Sequence, residues 1–312
     1  MITRRECLKG AAMLAAAAAV PGLTMAERPA RIMRPIPKTG EQVPIIGLGS
    51  SATFRRVAQS DDVSALRGVM STLVDNGGTI FDTAPSYGAS EEVSGQIAAE
   101  EGITEDIFWA TKLNVVPRGE SKADEAAARA QVDRSLARLS KKPIDLIQVH
   151  NLADLPTQMP ILEEYKQDGK IRYIGTTSTR TSRYPDLERA MRDYDIDFIG
   201  VDYAIDNRVS AESVLPLAQE LGIATLIYVP FGRSRLFSKT KDMALPDWAA
   251  EFGAESWAQF FLKYVCAHPA TTCVTPATSK PTNMNDNIRA LYGDLPTAEH
   301  LKKMAALIDG LG

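Results

Sequence analysis

The feature that most constrains the fold is an alternation of short apolar segments with amphipathic ones, from about residue 45 to the C-terminus. The short segments have strand length, whereas apolar residues between them recur at helical spacing. Strands that alternate with helices form a parallel sheet, because each helix carries the chain back along the sheet. The predicted strands cover residues 45–49, 79–83, 107–112, 145–150, 171–176, 198–201, 224–228 and 271–275.

Eight strand–helix units in a chain of 312 residues favour a TIM (β/α)8 barrel of the α/β class. The alternative is a doubly wound open sheet, but the Gly-x-Gly-x-x-Gly that usually follows its first strand is missing. The segment RIMRPIPKTGEQVP contains two short stretches around residues 38–41 and predicts an N-terminal β-hairpin that closes the barrel bottom. Residues 27–312 are therefore expected to form a single barrel domain.

The first 26 residues have the pattern of an export signal. Arg4, Arg5 and Lys9 precede an apolar stretch at 11–20, and small residues lead to Ala26. This stretch is shorter than the roughly 20 residues that span a bilayer, so no stable membrane span is predicted. The paired arginines are typical of a bacterial twin-arginine signal, which predicts the twin-arginine export machinery as a partner and a periplasmic location. The alternative is a misassigned start codon or an amphipathic arm.

Charge and cysteine content bear on possible partners, disulfide bonds and metal sites. The formal net charge is −4 with no basic cluster, which argues against a nucleic-acid partner. Cleavage after Ala26 would leave Cys266 and Cys273, between which an oxidising compartment permits a disulfide. Two buried thiols that pack as small apolar groups are the simpler expectation. No residues with metal-ligand spacing occur, so no metal site is predicted.

Three predicted strands end in ionisable side chains: Asp82 on the second, Lys112 on the third and His150 on the fourth. Tyr87 follows Asp82 closely in the segment TIFDTAPSYGASEE. The C-terminal ends of barrel strands open onto one face, so these four side chains are expected to converge where barrel active sites lie. Each residue alone has a structural explanation, such as a helix-capping aspartate, but the set favours catalysis.

The chemistry of this set can be argued from its charges. An unperturbed tyrosine has a pKa of about 10, and a nearby ammonium lowers it. Lys112 is therefore expected to lower the pKa of Tyr87, with Asp82 holding Lys112 charged and aimed. Tyr87 would donate a proton to a developing alkoxide, and His150 would donate a hydrogen bond to the substrate oxygen. The hydride that completes such a reduction requires a nicotinamide.

The segment FDTAPSYGASEE resembles the Asp-Thr-Ala-x-x-Tyr-Gly signature of the aldo-keto reductases. WATKLN and DLIQVHN resemble the lysine and histidine strands of that family, VPIIGLGS its first strand and GKIRYIGTTS its fifth. The resemblance covers residues from about 31 to 295 and implies Asp82, Tyr87, Lys112 and His150 as catalytic residues. It implies reduction of an aldehyde or ketone to an alcohol, or the reverse, with NADP(H) in preference to NAD(H).

The resemblance also implies a nicotinamide site without a Rossmann fold. The implied cofactor-binding residues follow the fifth, seventh and eighth strands: Thr177, Ser178, Tyr228, Phe231, Gly232, Arg233, Thr278, Lys280, Asn283 and Asn287. Tyr228 would stack on the nicotinamide, residues 231–233 would lie beside the pyrophosphate, and the last four would grip the adenosine end.

Several cofactor positions depart from the family pattern. Thr177-Ser178 replaces a Ser-Asn pair, and Gly200 stands where a glutamine usually reads the carboxamide. Asn283 stands where an arginine is common near the adenosine 2′-phosphate. The resemblance therefore predicts a dinucleotide site whose detailed contacts are altered.

The sequence leaves two alternative functions open. One is a nicotinamide-binding sensor or accessory subunit with little turnover, and the other is a barrel lyase or epimerase without a nicotinamide. The complete set of four polar residues favours the enzyme over the sensor, and a lyase leaves the tyrosine–lysine pair without its usual partner. Phe54, Asn114 and Asn151 are candidate pocket residues for a small-molecule carbonyl or alcohol substrate and indicate a partly polar site.

Overall fold

The computed structural model describes residues 30–312, so the predicted export signal lies outside the described residues. The strands are β1 (Met33–Pro35), β2 (Gln42–Pro44), β3 (Leu48–Gly49), β4 (Ile80–Asp82), β5 (Phe108–Leu113), β6 (Ile144–Val149), β7 (Ile171–Ser178), β8 (Phe198–Asp202), β9 (Ala224–Tyr228) and β10 (Cys273–Val274). The helices are α1 (Thr53–Ala58), α2 (Ser64–Asp75), α3 (Ser90–Glu101), α4 (Glu125–Leu139), α5 (Leu155–Gln167), α6 (Tyr184–Asp193), α7 (Val214–Glu220), α8 (Arg235–Lys239), α9 (Trp257–Cys266), α10 (Pro281–Ile288) and α11 (Ala298–Asp309). Across residues 30–312, no helix has the length and apolar character needed to cross a bilayer.

Strands β3 to β10 form one parallel sheet in chain order, each pairing with the next. The sheet closes on itself next to β3, where Val274 N donates to Ile45 O (2.8 Å) and Gly47 N donates to Val274 O (2.9 Å). Gly49 N donates to Pro276 O at 3.1 Å and extends the same seam. Closure pairs both edge strands, so the predicted TIM barrel is confirmed and the open-sheet alternative is wrong.

Strand boundaries differ from the prediction by one to a few residues. Strand β9 has the predicted bounds, whereas β10 contains two residues rather than the predicted five. Beside β10, Thr225 N donates to Thr272 Oγ1 (3.0 Å) and Thr272 N donates to Thr225 Oγ1 (3.2 Å). Two side-chain hydrogen bonds thus replace part of the backbone ladder, which no local pattern could indicate.

The lower half of the barrel interior is apolar. One buried cluster contains Phe108, Tyr173 and Phe198 from the starts of β5, β7 and β8, together with Ile36 from the hairpin of β1 and β2. The hairpin turn is held by Thr39 Oγ1, which lies 2.9 Å from the Tyr173 hydroxyl. The predicted hairpin is therefore confirmed, and it covers the N-terminal end of the barrel.

The same interior face becomes polar towards the C-terminal ends of the strands. Side chains alternate between the two faces of a strand, so residues two apart share a face. Ile80 is thus followed inward by Asp82, Ala110 by Lys112 and Leu146 by Gln148; Leu226 is likewise followed by Tyr228. The period of two therefore places a layer of polar side chains above the apolar interior cluster, at the end of the barrel opposite the hairpin.

The two cysteines of the described residues are both free and buried. Cys266 ends α9 on the outside of the barrel, whereas Cys273 belongs to the interior cluster. Burial raises the pKa of the Cys266 thiol to about 12. The expectation of two buried thiols is confirmed, and a disulfide between them is absent from the described part of the chain.

Candidate active site

An ion pair between Lys112 and Asp82 lies at the centre of the polar layer. Lys112 Nζ donates to Asp82 Oδ1 at 2.7 Å, to Oδ2 at 2.8 Å and to Thr83 O at 2.8 Å. These three acceptors match the three N–H donors of an ammonium. Burial alone would lower the pKa of Lys112, but the charge of Asp82 raises it. The side chain is therefore a fixed positive charge.

Tyr87 lies beside this pair, as the sequence predicts. The centre of its ring is 5.2 Å from Lys112 Nζ and 6.0 Å from the centre of the His150 ring. Burial raises the pKa of Tyr87 above its usual value of 10, while the charge of Lys112 opposes this rise. The expected net lowering of the Tyr87 pKa is therefore wrong, because desolvation of the phenol outweighs the ammonium. Tyr87 is a protonated hydroxyl at neutral pH and is suited to give a proton.

His150 was predicted to be the last residue of its strand, but β6 ends at Val149 and His150 begins a short 3-10 turn. Its Nδ1 lies 3.5 Å from Ser86 Oγ. Burial, with the positive charge of Lys112, lowers the pKa of His150 to about 3. The imidazole is therefore neutral at physiological pH and has one N–H group with which it could donate a hydrogen bond without carrying charge.

The depressed pKa of His150 predicts a pH-dependent stability. In the unfolded chain the imidazole protonates below about pH 6.5, whereas in the folded chain it stays neutral down to about pH 3. Stability is therefore full above the unfolded pKa and is lost as pH falls towards the folded one. We expect urea unfolding at about pH 5 to show a loss of roughly 1–2 kcal/mol that His150→Asn lacks. Equal losses in both proteins would contradict the assigned burial.

A cavity of about 1000 Å³ opens above the four side chains. Its volume is at the upper end of the range for small-molecule sites. Three of its walls contain residues with left-handed backbone that are not glycine: Ala52 after β3, Asn151 after β6 and Val229 after β9. A β-branched residue in that region is strained, and such strain is concentrated in functional loops. The strained loops support this cavity as the functional site.

The structure divides the predicted cofactor residues into two groups. Thr177, Tyr228, Phe231 and Arg233 line the cavity, and the neighbouring Ser178 and Gly232 are buried outside its lining. Thr278, Lys280, Asn283 and Asn287 follow β10 and lie beyond Ala277, where the lining ends. Of the candidate pocket residues, Asn151 lines the cavity, whereas Phe54 and Asn114 do not.

Phe54 and Asn114 have structural roles instead. Phe54 is fully buried against Phe81, with ring centres 5.5 Å apart in an edge-to-face arrangement. Asn114 Oδ1 accepts from Val116 N at 3.0 Å and so shapes its own loop. Phe54 lies in the short helix α1 and Asn114 in a loop, and neither segment is long enough to show a sequence period, so the sequence could not separate these residues from the pocket-facing Asn151. Three arginines that line the cavity, Arg55, Arg56 and Arg180, were not anticipated either.

The unexpected glycine at position 200 makes room for Tyr228. The Tyr228 hydroxyl lies 3.1 Å from Asp82 Oδ1 and 3.0 Å from Gln148 Oε1, so both oxygens are within reach of its single proton. A Cβ atom on Gly200 would lie 2.7 Å from that hydroxyl oxygen and closer still to the ring. Any side chain at position 200, including the usual glutamine, would therefore collide with Tyr228. The sequence showed the glycine but did not indicate that Tyr228 fills the space beside it.

We expect Gly200→Ala to displace the Tyr228 phenol and to remove its bonds to Asp82 and Gln148. Overpacking of this kind typically costs about 1–3 kcal/mol, which thermal unfolding would measure. The double variant with Tyr228→Ala restores the space, so its loss of unfolding free energy should be smaller than the sum of the losses in the two single variants. Strictly additive losses would show that Gly200 and Tyr228 do not compete for space.

The fold and the site define a closed (β/α)8 barrel with a protonated tyrosine, a lysine–aspartate pair and a neutral histidine at its C-terminal mouth. The sequence profile of the Aldo/keto reductase family matches residues 45–308. The chain therefore belongs to the aldo/keto reductase family, as the sequence signatures indicate.

Two curated relatives have related sequences. Aldo-keto reductase YhdN of Bacillus subtilis (strain 168) is 32% identical over 212 residues, which cover 65% of this chain and 63% of that protein. Aldo-keto reductase str7 of Strobilurus tenacellus is 30% identical over 203 residues, which cover 63% of this chain and 58% of that protein. The chain thus spans less than two thirds of the length of either relative.

Solved structures share the fold more completely. The holo form of aldo-keto reductase AKR11C1 from Bacillus halodurans superposes with a TM-score of 0.71 at 25% identity, covering 89% of this chain and 96% of that one. An aldo/keto reductase from Klebsiella pneumoniae in complex with NADP and acetate has a TM-score of 0.67 at 25% identity, with 86% and 93% covered. The barrel is therefore shared along almost its whole length.

Proposed function

We propose that this protein is an NADP(H)-dependent oxidoreductase that reduces an aldehyde or ketone to an alcohol or catalyses the reverse reaction. One observation carries the proposal: Asp82, Tyr87, Lys112 and His150 come from three consecutive strands and their loops and meet in one cavity. Membership of the aldo/keto reductase family supports the same reaction.

Each of the four side chains has a role that follows from its surroundings. Tyr87, held protonated by burial, donates its proton to the carbonyl oxygen as negative charge develops there. The neutral imidazole of His150 donates a hydrogen bond to the same oxygen. Lys112 supplies the positive charge that stabilises the resulting phenolate, and Asp82 fixes the direction of that ammonium. Tyr87 then takes a proton from solvent.

A nicotinamide dinucleotide fits the residues of the cavity. Tyr228 presents an aromatic ring beside Lys112, and Arg233 supplies a cation on the loop after β9. Pro281 opens α10 just beyond the lining, so the amide groups of that helix start are available to a phosphate. The reduced cofactor, when bound, supplies hydride to the carbonyl carbon. NADP in the related Klebsiella pneumoniae structure favours NADP(H) over NAD(H).

The test is a spectrophotometric assay of NADPH consumption with simple aldehydes, together with cofactor fluorescence on mixing. We expect both turnover and tight NADPH binding, with NADH weaker in each measurement. Binding without turnover of any aldehyde or alcohol would favour a sensor or accessory subunit. A protein that binds neither dinucleotide would contradict the proposal and favour a lyase or epimerase.

We further propose that the protein is exported through the twin-arginine route to the bacterial periplasm, with cleavage after about Ala26. The paired Arg4 and Arg5 and the short apolar stretch behind them support this proposal. We expect the double change Arg4→Lys with Arg5→Lys to abolish export, because the export machinery reads the paired arginines. Cell fractionation measures the outcome, and export of the double variant at the wild-type level would contradict it.

Export in folded form would allow the cofactor to be loaded before the protein leaves the cytoplasm. A retained cofactor would be reduced by one small molecule and oxidised by another in a ping-pong scheme. Retention requires slow release, so the Kd for the dinucleotide should be about 1 μM or lower. Mass spectrometry of gently purified exported protein tests this idea. An empty protein with weak NADPH binding would contradict it.

A further inference from the structure

Helix α1 carries two adjacent arginines, Arg55 and Arg56, that line the cavity. Many arginines elsewhere on the surface pair with carboxylates, as Arg67 does with Glu100 and Arg129 with Glu164. Within residues 30–312, neither Arg55 nor Arg56 forms an ion pair. The two guanidinium groups therefore remain available to a bound anion.

The position of α1 relative to the reacting groups is fixed. Phe54 precedes the arginines and is fully buried, with its ring packed edge-to-face on Phe81. Phe81 is the neighbour of Asp82 in β4, and Ser50 N donates to Asp82 O at 2.9 Å. The aromatic contact and the backbone hydrogen bond tie the backbone of α1 to the strand that carries Asp82.

The arginines follow a different strand from the cofactor candidates that line the cavity. Thr177, Tyr228, Phe231 and Arg233 all follow β7 or β9. The loops after β3 to β6 contribute Tyr87, His150 and the arginines of α1 to the lining. Asp82 and Lys112 neutralise each other in this part of the lining, so the two arginines leave a net positive charge there. The chain as a whole carries −4, and a local positive cleft attracts anions.

We propose that Arg55 and Arg56 form an anion subsite that selects carbonyl substrates bearing a carboxylate. A guanidinium presents a planar fork that matches a carboxylate with two hydrogen bonds. The anchored anion would direct the carbonyl carbon of the same molecule towards Tyr87 and His150. The inference rests on the proposed reductase function and names the class of substrate for it.

A matched substrate pair tests the subsite: 4-carboxybenzaldehyde and methyl 4-formylbenzoate differ in charge but share the reacting aldehyde. We expect the wild-type protein to prefer the acid. In the double variant Arg55→Gln with Arg56→Gln, kcat/KM for the acid should fall by about 10–100-fold, mainly through KM. In the same variant, kcat/KM for the ester should change by no more than about twofold. Arg134→Gln on the exposed face of α4 is the matched control and should leave both values unchanged.

Two measurements separate this inference from its alternatives. If the double variant keeps the preference for the acid, or loses both substrates equally with weakened NADPH fluorescence binding, the subsite assignment is wrong. Failure of the reductase proposal would show as no turnover of either aldehyde by the wild type. In that case calorimetric binding of benzoate decides: binding that the double variant loses supports the subsite, and equal or absent binding overturns it.

Discussion

Replacing Tyr87 with phenylalanine is expected to lower kcat for aldehyde reduction by about 10²–10⁴-fold, the usual contribution of a general acid. The ring contacts with His150 and Lys112 survive in this variant, whereas the proton donor is lost. NADPH binding, measured by fluorescence titration, should therefore stay close to that of the wild type. The fall should appear in kcat rather than in KM, because the hydroxyl acts on charge that develops in the transition state.

The pH profile provides an internal check on this role. Because burial keeps Tyr87 protonated, wild-type reduction should decline only as pH approaches or exceeds the usual tyrosine pKa of 10. Tyr87→Phe should show a low rate without that decline. Undiminished turnover by the variant would remove Tyr87 from the role of proton donor, and a parallel loss of cofactor binding would indicate a structural role instead.

Replacing Lys112 with methionine is expected to remove most activity and to destabilise the fold. The ammonium is nearly fully buried and donates to both carboxylate oxygens of Asp82 and to Thr83 O. Its loss leaves the buried carboxylate with the Tyr228 hydroxyl as its remaining partner. Breaking a buried pair in this way typically costs about 3–5 kcal/mol, which urea unfolding would measure.

A second variant separates lost stability from lost chemistry. Combining Lys112→Met with Asp82→Asn removes both charges, so much of the stability should return while activity stays low. Activity that recovers together with stability would show that Lys112 acts only through the fold. A fully active and stable Lys112→Met protein would contradict both the ion pair and its influence on Tyr87.

The sequence predicted the part of the site that lies on strands. Asp82 and Lys112 are the inward-facing residues near the ends of regular strands, where a period of two fixes direction and chain order fixes neighbours. Pocket residues in the connecting segments were predicted less well: Asn151 faces the cavity, whereas Phe54 of the short helix α1 is buried against Phe81. Loop side chains have no period, so only the folded chain decides which way they point.

The sequence also predicted only one of the two effects that set the pKa of Tyr87. The sequence identified the lysine that lowers this pKa, since charge type and strand position are both readable. It could not give the extent of burial, which depends on every segment that covers the ring and which here outweighs the charge. Desolvation is a property of the whole fold, so its magnitude is absent from any local pattern.

The sequence by itself determined the barrel and the convergence of the four residues at its mouth, because hydrophobic period and strand order indicate both. Turn residues indicated the hairpin, and the resemblance of short motifs indicated the family. Only the tertiary structure decided that Tyr228 occupies the space above Gly200, that Tyr87 stays protonated, and that Arg55 and Arg56 line the cavity. These features depend on distances between segments far apart in the chain. Such distances are fixed when the sheet closes and the loops pack over its end.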